Sequence, residues 1–408
     1  MKRVVVTGFG GLTSLGHDWE SIACRLRAGQ SGVRRMPDWD RFKGLNTRLA
    51  APVAEFELPS HYNRKSTRSM GRVALLSTRA TELALEHAGL LGDPVISSGE
   101  TGVAYGSSAG SLEPMIGFGE MERTGEMRGI TSNSYVQLMS HTGAVNIGLF
   151  FKVRGRVIPT SSACTSGSQA IGYAYEAIRY GRQKVMIAGG SEELNGGEAA
   201  VFDTLFATST RNDSPGLTPR PFDRDRDGLV VGEGAVTLIL EEREHALARG
   251  ATIHAEIVGF GTNADGAHIT QPQSETMAGA MRLALEDAGL DAGAIGYVNA
   301  HGTATDRGDI AESHATLEVL GDKIPVSSLK SYFGHTLGAC GALEAWLSIE
   351  MMNESWFAPT INLDHPDPNC AALDYIMGEV RKAEVEYIMS NNFAFGGINT
   401  SLIFRRTE

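Results

Sequence analysis

Cys164 lies in Thr160-Ser161-Ser162-Ala163-Cys164-Thr165-Ser166-Gly167-Ser168, between the apolar pair Val157-Ile158 and a segment with Ala170, Ile171, Ala174 and Ile178 at helical spacing. The pattern predicts a strand, a tight turn and a helix, with the thiol at the turn. There the helix N-terminus favours a thiolate, unpaired backbone N–H groups can meet an oxyanion, and small neighbours admit a substrate. The chemistry implied is nucleophilic attack on a carbonyl. A buried structural thiol is the competing account, since free cysteine is common in cores.

Asn299-Ala300-His301-Gly302-Thr303-Ala304-Thr305 follows the strand-like Tyr297-Val298. His301 therefore falls on a polar loop at a strand's C-terminal end, the edge where α/β sheets build their sites. Lys330 and His335 occur together in Ser328-Leu329-Lys330-Ser331-Tyr332-Phe333-Gly334-His335. In Ser390 through Asn399, Gly396-Gly397 permits unusual dihedrals and leaves N–H groups free to donate, either to an oxyanion or simply within a turn.

The elements that must position these groups repeat along the chain. Val4-Val5-Val6-Thr7-Gly8-Phe9-Gly10 is echoed by Glu256-Ile257-Val258-Gly259-Phe260-Gly261, and Leu83 through Leu90 by Leu283 through Leu290. Ile158-Pro159-Thr160-Ser161-Ser162 is echoed by Ile324-Pro325-Val326-Ser327-Ser328 in the same order. Further strands are expected at 102–106, 185–189, 296–300 and 387–390, alternating with helices, which predicts parallel sheets covered on both faces. Two duplicated α/β halves, 1–250 and 251–408, follow, with the stretches near 34–65, 110–150 and 196–230 as insertions in the first. The Lys330–His335 segment is expected at the counterpart of the cysteine turn, so pseudo-twofold packing would carry it to Cys164.

Composition narrows the function classes. The 408 residues are 42% hydrophobic, enough for substantial cores, and 36 basic against 48 acidic residues give a net charge of −12. That balance argues against a general nucleic-acid binder or a surface held on anionic lipid. No apolar run reaches the length of a membrane span, and Cys24, Cys164, Cys340 and Cys370 show neither a disulfide framework nor zinc spacing. A reducing, cytoplasmic setting is expected. Gly8-Phe9-Gly10-Gly11 lacks the third glycine of a dinucleotide loop, which falls at Thr13, and Asp223 through Gly228 departs from a calcium loop because its twelfth position is Gly234. The latter is expected to be a hairpin with internal ion pairs.

Across nearly the whole chain the sequence resembles the β-ketoacyl-acyl-carrier-protein synthases, condensing enzymes of the thiolase superfamily. The resemblance rests on Ser162 through Gly167, Pro221-Phe222-Asp223 with Arg226-Asp227-Gly228 and Gly232-Glu233-Gly234, His301-Gly302-Thr303 with Thr305, Lys330-Ser331 with Gly334-His335, and Asn391 through Asn399. It implies an α/β thiolase fold of five α-β-α-β-α layers, each half with a mixed, largely parallel sheet. It also implies a homodimer, with a heterodimer as the alternative, and decarboxylating condensation of a Cys164-bound acyl group with malonyl-carrier protein. His301 and His335 would stabilise the enolate, Lys330 would support them with Glu312 as its charge partner, and the N–H groups of Cys164 and Phe395 would hold the oxyanion. No cofactor serves the catalysis.

By the same resemblance, Thr270, Thr303 and Thr305 would meet the phosphopantetheine arm, Ala109 would widen the acyl pocket, and Asn299, Glu344, Ser390 and Asn391 would surround a structural monovalent cation. Arg64, Arg68 and Arg72, with Lys65, would form one helical stripe for an acidic acyl carrier protein. Ala394 replaces the glycine common before the gating phenylalanine. The pathway is fatty-acid elongation or a related polyketide or polyene synthesis. The rivals are a noncatalytic chain-length factor and a thiolase or coenzyme-A-primed synthase; the set Cys164, His301, Lys330 and His335 argues against each.

Overall fold

A computed structural model describes residues 1–407. In its first half the strands lie side by side in the order Val157–Thr160, Thr101–Gly106, Val185–Glu192, Gly234–Glu242, Val4–Leu12. The second half repeats that spatial order with Pro325–Ser327, Ile295–Asn299, Tyr387–Phe393, Ile398–Arg405 and Ala255–Ala264. Val4–Val6 pairs antiparallel with Ala255–Ile257, so hydrogen bonding runs through all the strands as one eleven-stranded sheet, with Asp374–Tyr375 at the far edge. Parallel pairing is concentrated at the outer strands of each half, while the strands nearest the seam are antiparallel.

The repeat extends to close packing. A side chain on Gly8 or Gly10 would collide with helix Arg72–His87 at Ala84 and Ala88, or at Ala80 and Ala84. Gly259 and Gly261 stand in the same relation to Ala284 and Ala288, or Ala280 and Ala284, on helix Ser274–Ala288. The glycines that resembled a nucleotide loop are there to let a helix lie flat on a strand.

Helices Ser166–Arg179 and Cys340–Asn353 pack against each other between the two halves of the sheet. Arg72–His87 and Thr142–Phe151 cover the first half from outside, and Ser274–Ala288 and Asp306–Leu320 cover the second, which completes five layers. Helix Cys340–Asn353 is buried at 12 of its 14 residues, so it has no polar face. Fully buried Leu347, Ile349 and Met351 each contribute roughly 1.5–3 kcal/mol of apolar transfer. Helix Thr142–Phe151 corrects one expectation: the last third of the 110–150 stretch is a layer of the duplicated fold, equivalent in chain position to Asp306–Leu320, rather than an insertion. The Asp223–Gly228 segment is also corrected: it keeps one internal ion pair, Arg224 with Asp225, but it forms no hairpin and mainly bridges elements. Arg220 reaches Asp364, Arg226 reaches Asp309 and Asp367, and Asp223 accepts the N–H groups of Asp364 and His365. Among the described residues no helix is long and apolar enough to cross a membrane.

Candidate active site

The first-half turn forms as expected. Ala163 takes a left-handed φ of 50°, a 3-10 turn spans Ala163–Thr165, and helix Ser166–Arg179 begins. Ser166 Oγ accepts the Ser162 N–H at 3.0 Å and donates to the Ala163 carbonyl at 2.7 Å, which pins the turn. In the second half Leu337 takes φ 46°, Leu337–Ala339 makes the 3-10 turn, and Cys340–Asn353 is the helix. The counterpart of Cys164 is therefore Gly338, and Lys330 and His335 belong to the approach before it, a correction to the expected register. A Cβ on Gly338 would lie 2.7 Å from Ser107 Cα and Ser108 N. Buried Glu192 braces both sides, accepting N–H groups from Ser108 at 2.8 Å and Gly338 at 3.0 Å.

The halves converge on the thiol. His335 Nε2 is 3.0 Å from Cys164 Sγ, and its Nδ1 accepts the Leu337 N–H at 3.3 Å, which leaves the ring proton on Nε2. Lys330 Nζ lies 3.2 Å from His301 Nδ1 and is ion-paired to Glu344. An ammonium can only donate, so His301 also carries its proton on Nε2. The two rings stand nearly perpendicular, 5.2 Å apart, and one nitrogen of each lies within 4.8 Å of the sulfur and of the other. Three such atoms are also a metal-ligand count, but a ring nitrogen that carries a proton offers no lone pair.

Burial, reinforced by the Lys330 charge, pushes both histidines well below the usual imidazole range, so they act as neutral donors. Burial also raises the Cys164 thiol to about 11, opposed by Lys330 and by the N–H groups of Phe395 and Cys164 aimed at the sulfur. Burial works against the charge on Lys330, yet Glu344 together with Cys340 and Glu312 holds the ammonium above its usual range.

A cavity of about 530 Å³ leads to these groups, lined by Thr270, Thr303, Thr305, Phe202 and Phe395 as well as Cys164, His301 and His335. Thr303 and Thr305 hydroxyls meet at 2.9 Å. Glu312 touches the cavity, but it is not the partner of Lys330: its two oxygens accept the His301 and Gly302 N–H groups at 2.6 and 2.7 Å, and burial raises it to about 8. It shapes the His301 loop. Ala109 lies on the loop after Thr101–Gly106 and does not line this cavity.

The expected basic stripe is broken. Arg64–Thr67 is a single helical turn, Met70 and Gly71 interrupt it, and Arg72 starts a new helix with its guanidinium bound to buried Glu233. Arg64, Lys65 and Arg68 are exposed without such a partner, and Arg72 is exposed as well. Around Asn299, Glu344, Ser390 and Asn391, Asn299 donates to Ser390 Oγ at 3.4 Å, while Glu344 is shared between Lys330 and Asn392. The side-chain oxygens of Asn299 and Asn391 are buried without a partner, a fit for a hard monovalent ion.

Sequence reasoning missed Glu192 as the brace between the Gly338 turn and the Ser108 loop, and Phe202 as a cavity wall. An acid closing the small-residue strand Val185–Glu192 was the one signal for the first; nothing local marked the second.

Two family models cover the chain in succession: Beta-ketoacyl synthase, N-terminal domain over residues 1–246, and Beta-ketoacyl synthase, C-terminal domain over residues 254–364. The 3-oxoacyl-[acyl-carrier-protein] synthase 2 of Vibrio cholerae is 40% identical over 99% of each chain. The crystal structure of a beta-ketoacyl synthase from Burkholderia phymatum is 67% identical and superposes with a TM-score of 0.99 over 100% of both chains. The ishigamide ketosynthase/chain length factor superposes at 0.91 with 31% identity, again over 100% of both. Agreement at this level from end to end, around a thiol faced by two imidazole donors, makes the chain a member of the beta-ketoacyl synthase family.

Proposed function

We propose that the protein carries out decarboxylating condensation of an acyl group on Cys164 with malonyl-acyl-carrier protein, giving 3-oxoacyl-carrier protein and carbon dioxide. The observation that carries this is that one nitrogen each of His301 and His335 lies within 4.8 Å of the Cys164 sulfur, with both rings protonated on Nε2. In the first step the Cys164 sulfur bonds to the acyl carbonyl, the N–H groups of Cys164 and Phe395 bind the oxyanion, and the carrier sulfur leaves as its bond to the acyl group breaks, taking up the proton that Cys164 gives. In the second step the malonyl thioester carbonyl accepts hydrogen bonds from both imidazoles. Carbon dioxide departs, and the electron pair moves into an enolate held by those donors, each worth roughly 2.7–4 kcal/mol. The enolate carbon then bonds to the acyl carbonyl, the carbon–sulfur bond breaks, and Cys164 is regenerated. Because both imidazoles are held neutral, neither needs to gain or lose a proton beforehand.

Thr270, Thr303 and Thr305 suit the polar arm of a phosphopantetheine carrier at the cavity mouth. Exposed Arg64, Lys65 and Arg68 suit an acidic acyl carrier protein, beside Arg72, which is also held by Glu233. A homodimer is supported by the bare edge strand Val157–Thr160, where Val157 and Leu149 of the adjoining helix are exposed apolar residues. No cofactor is needed for catalysis. A monovalent cation would be held by Asn299, Ser390 and Asn391 with Glu344 behind them, supplying a fixed charge that stiffens the strand ends. We assign residues 1–250 to delivery of the nucleophile and 251–408 to the enolate donors, in fatty-acid or related polyketide or polyene synthesis. Four free cysteines suit the reducing cytoplasm.

Purified wild type and Cys164→Ala would be incubated with acyl- and malonyl-carrier proteins. Loss of the two-carbon-longer 3-oxoacyl product in the variant is expected. Condensation by Cys164→Ala at the wild-type rate would overturn the assignment and favour a noncatalytic chain-length-factor role.

A further inference from the structure

The carboxylates and guanidinium groups on the cavity wall belong to Arg226, Asp227, Asp265, Asp306, Arg307 and Glu312. All but one are committed within the protein. Asp227 pairs with Arg211, Asp265 accepts from Asn399 at 2.7 Å, Glu312 accepts the His301 and Gly302 N–H groups, and Arg226 draws in Asp306, Asp309 and Asp367. Among the described residues, Arg307 has neither a carboxylate at ion-pair distance nor a side-chain hydrogen bond. It is exposed where Cys164 is buried, which puts the thiol at the floor of the cavity and this guanidinium at its mouth.

The placement of Arg307 runs against its surroundings. It stands in the first turn of helix Asp306–Leu320, where the helix dipole favours acids and disfavours a cation. The acids of that turn, Asp306 and Asp309, are its nearest partners in sequence, yet both face Arg226, whose side chain is 2% exposed. Arg226 thus collects three carboxylates and Arg307 none. A guanidinium left unpaired against its own helix, on the wall of a cavity, is placed to meet an anion that arrives from outside, and its planar fork of donors matches a phosphate.

We infer that Arg307 binds the phosphate of the phosphopantetheine arm and so selects donors that carry it. This deepens the condensing function proposed above and rests on it. The arm is neutral from its thioester through its amides to its hydroxyl, and its one anionic group is the phosphate at the outer end. The cavity offers the matching groups: the thiol at the floor, the hydroxyls of Thr270, Thr303 and Thr305 on the wall, and the unpaired guanidinium at the mouth. The malonyl carboxylate is not the match, because it lies next to the thioester carbonyl, at the buried histidines. Acids on the carrier's own surface are the better match for Arg64, Lys65 and Arg68, which are exposed and stand off the cavity wall.

The test offers octanoyl-pantetheine, octanoyl-phosphopantetheine and octanoyl-carrier protein to wild type, Arg307→Gln and Arg307→Lys. Adducts on Cys164 are read by intact-protein mass spectrometry. Wild type is expected to show a KM for the phosphorylated free arm about tenfold below that for octanoyl-pantetheine, a gap that added salt narrows. Arg307→Gln should close the gap, and Arg307→Lys should keep much of it because the charge remains. Equal KM values for the two free arms in wild type overturn the inference, whether or not the variants fold. So does a folded Arg307→Gln that retains the gap. A loss in Arg307→Gln confined to the carrier-borne donor also overturns it, and assigns the contact to the carrier's own acids. Absence of any adduct from any donor overturns instead the condensing function on which the inference rests.

Discussion

At Cys164 and at Gly338 the backbone makes the same turn, left-handed at Ala163 and Leu337, followed by a 3-10 turn and a fourteen-residue helix. One position carries the thiol and the other has no room for a side chain. The second turn packs on the loop at Ser107 and Ser108, to which Glu192 ties it, and Cys340 at its end donates to the Cys164 carbonyl at 3.2 Å. Its chemistry has moved to the segment before the turn, where Lys330 and His335 point back at Cys164 and His301. On the proposed function, a duplicated fold thus separates two jobs: the first half presents a nucleophile, and the second half stabilises negative charge beside it.

The comparison is broken most severely at Lys330. Lys330→Ala leaves Glu344 as an uncompensated buried charge and removes the donor that fixes His301, so a loss of about 3–5 kcal/mol in urea unfolding is expected, with condensation abolished. Wild-type stability in this variant would mean that Glu344 holds a proton instead of pairing with Lys330. Gly338→Ala is next. Its methyl group would strike backbone on two sides, and roughly 1–3 kcal/mol should be lost, together with the alignment of the Cys164 turn. An unaltered melting curve and acylation rate would show that the second turn does not support the first.

The seam between the halves gives a pH-dependent effect. His254, packed on Phe9 and facing His87, is lowered by burial and by His87 to about 4. The unfolded chain binds this proton near pH 6.5 and the native chain does not, so the stabilisation is complete above that value and is lost as pH falls toward 4. Urea midpoints from pH 7 to 4.5 should decline less in His254→Gln than in wild type; parallel declines would remove His254 as the cause. The smallest effect expected is at the surface. Arg68→Glu should weaken carrier-protein binding several-fold in a salt-sensitive way without changing stability. Arg72→Glu, by contrast, should unfold more easily because Glu233 loses its partner. Equal binding by wild type and Arg68→Glu across a salt series would exclude that surface.

The duplication and the four central residues were legible because each has a local signature: glycines that meet alanines on a helix, a small-residue turn around a thiol, a histidine at a strand end. What escaped depends on contacts distant in sequence. Glu344, not Glu312, holds Lys330 because helix Cys340–Asn353 crosses between the sheets, a layer order no spacing encodes. Arg64 through Arg72 had helical periodicity, but the break at Met70-Gly71 and the bond to Glu233, 161 residues away, divide them. Ala109 rests on the resemblance alone; its loop is bonded to Glu192, and a pocket position is not encoded in its neighbours.

The division of labour between the halves is tested most directly with His301→Asn, by following Cys164 through both steps with intact-protein mass spectrometry. The account predicts an acyl adduct formed as in wild type, but persisting after malonyl-carrier protein is added, with no carbon dioxide released. Clearance of that adduct at the wild-type rate would contradict it.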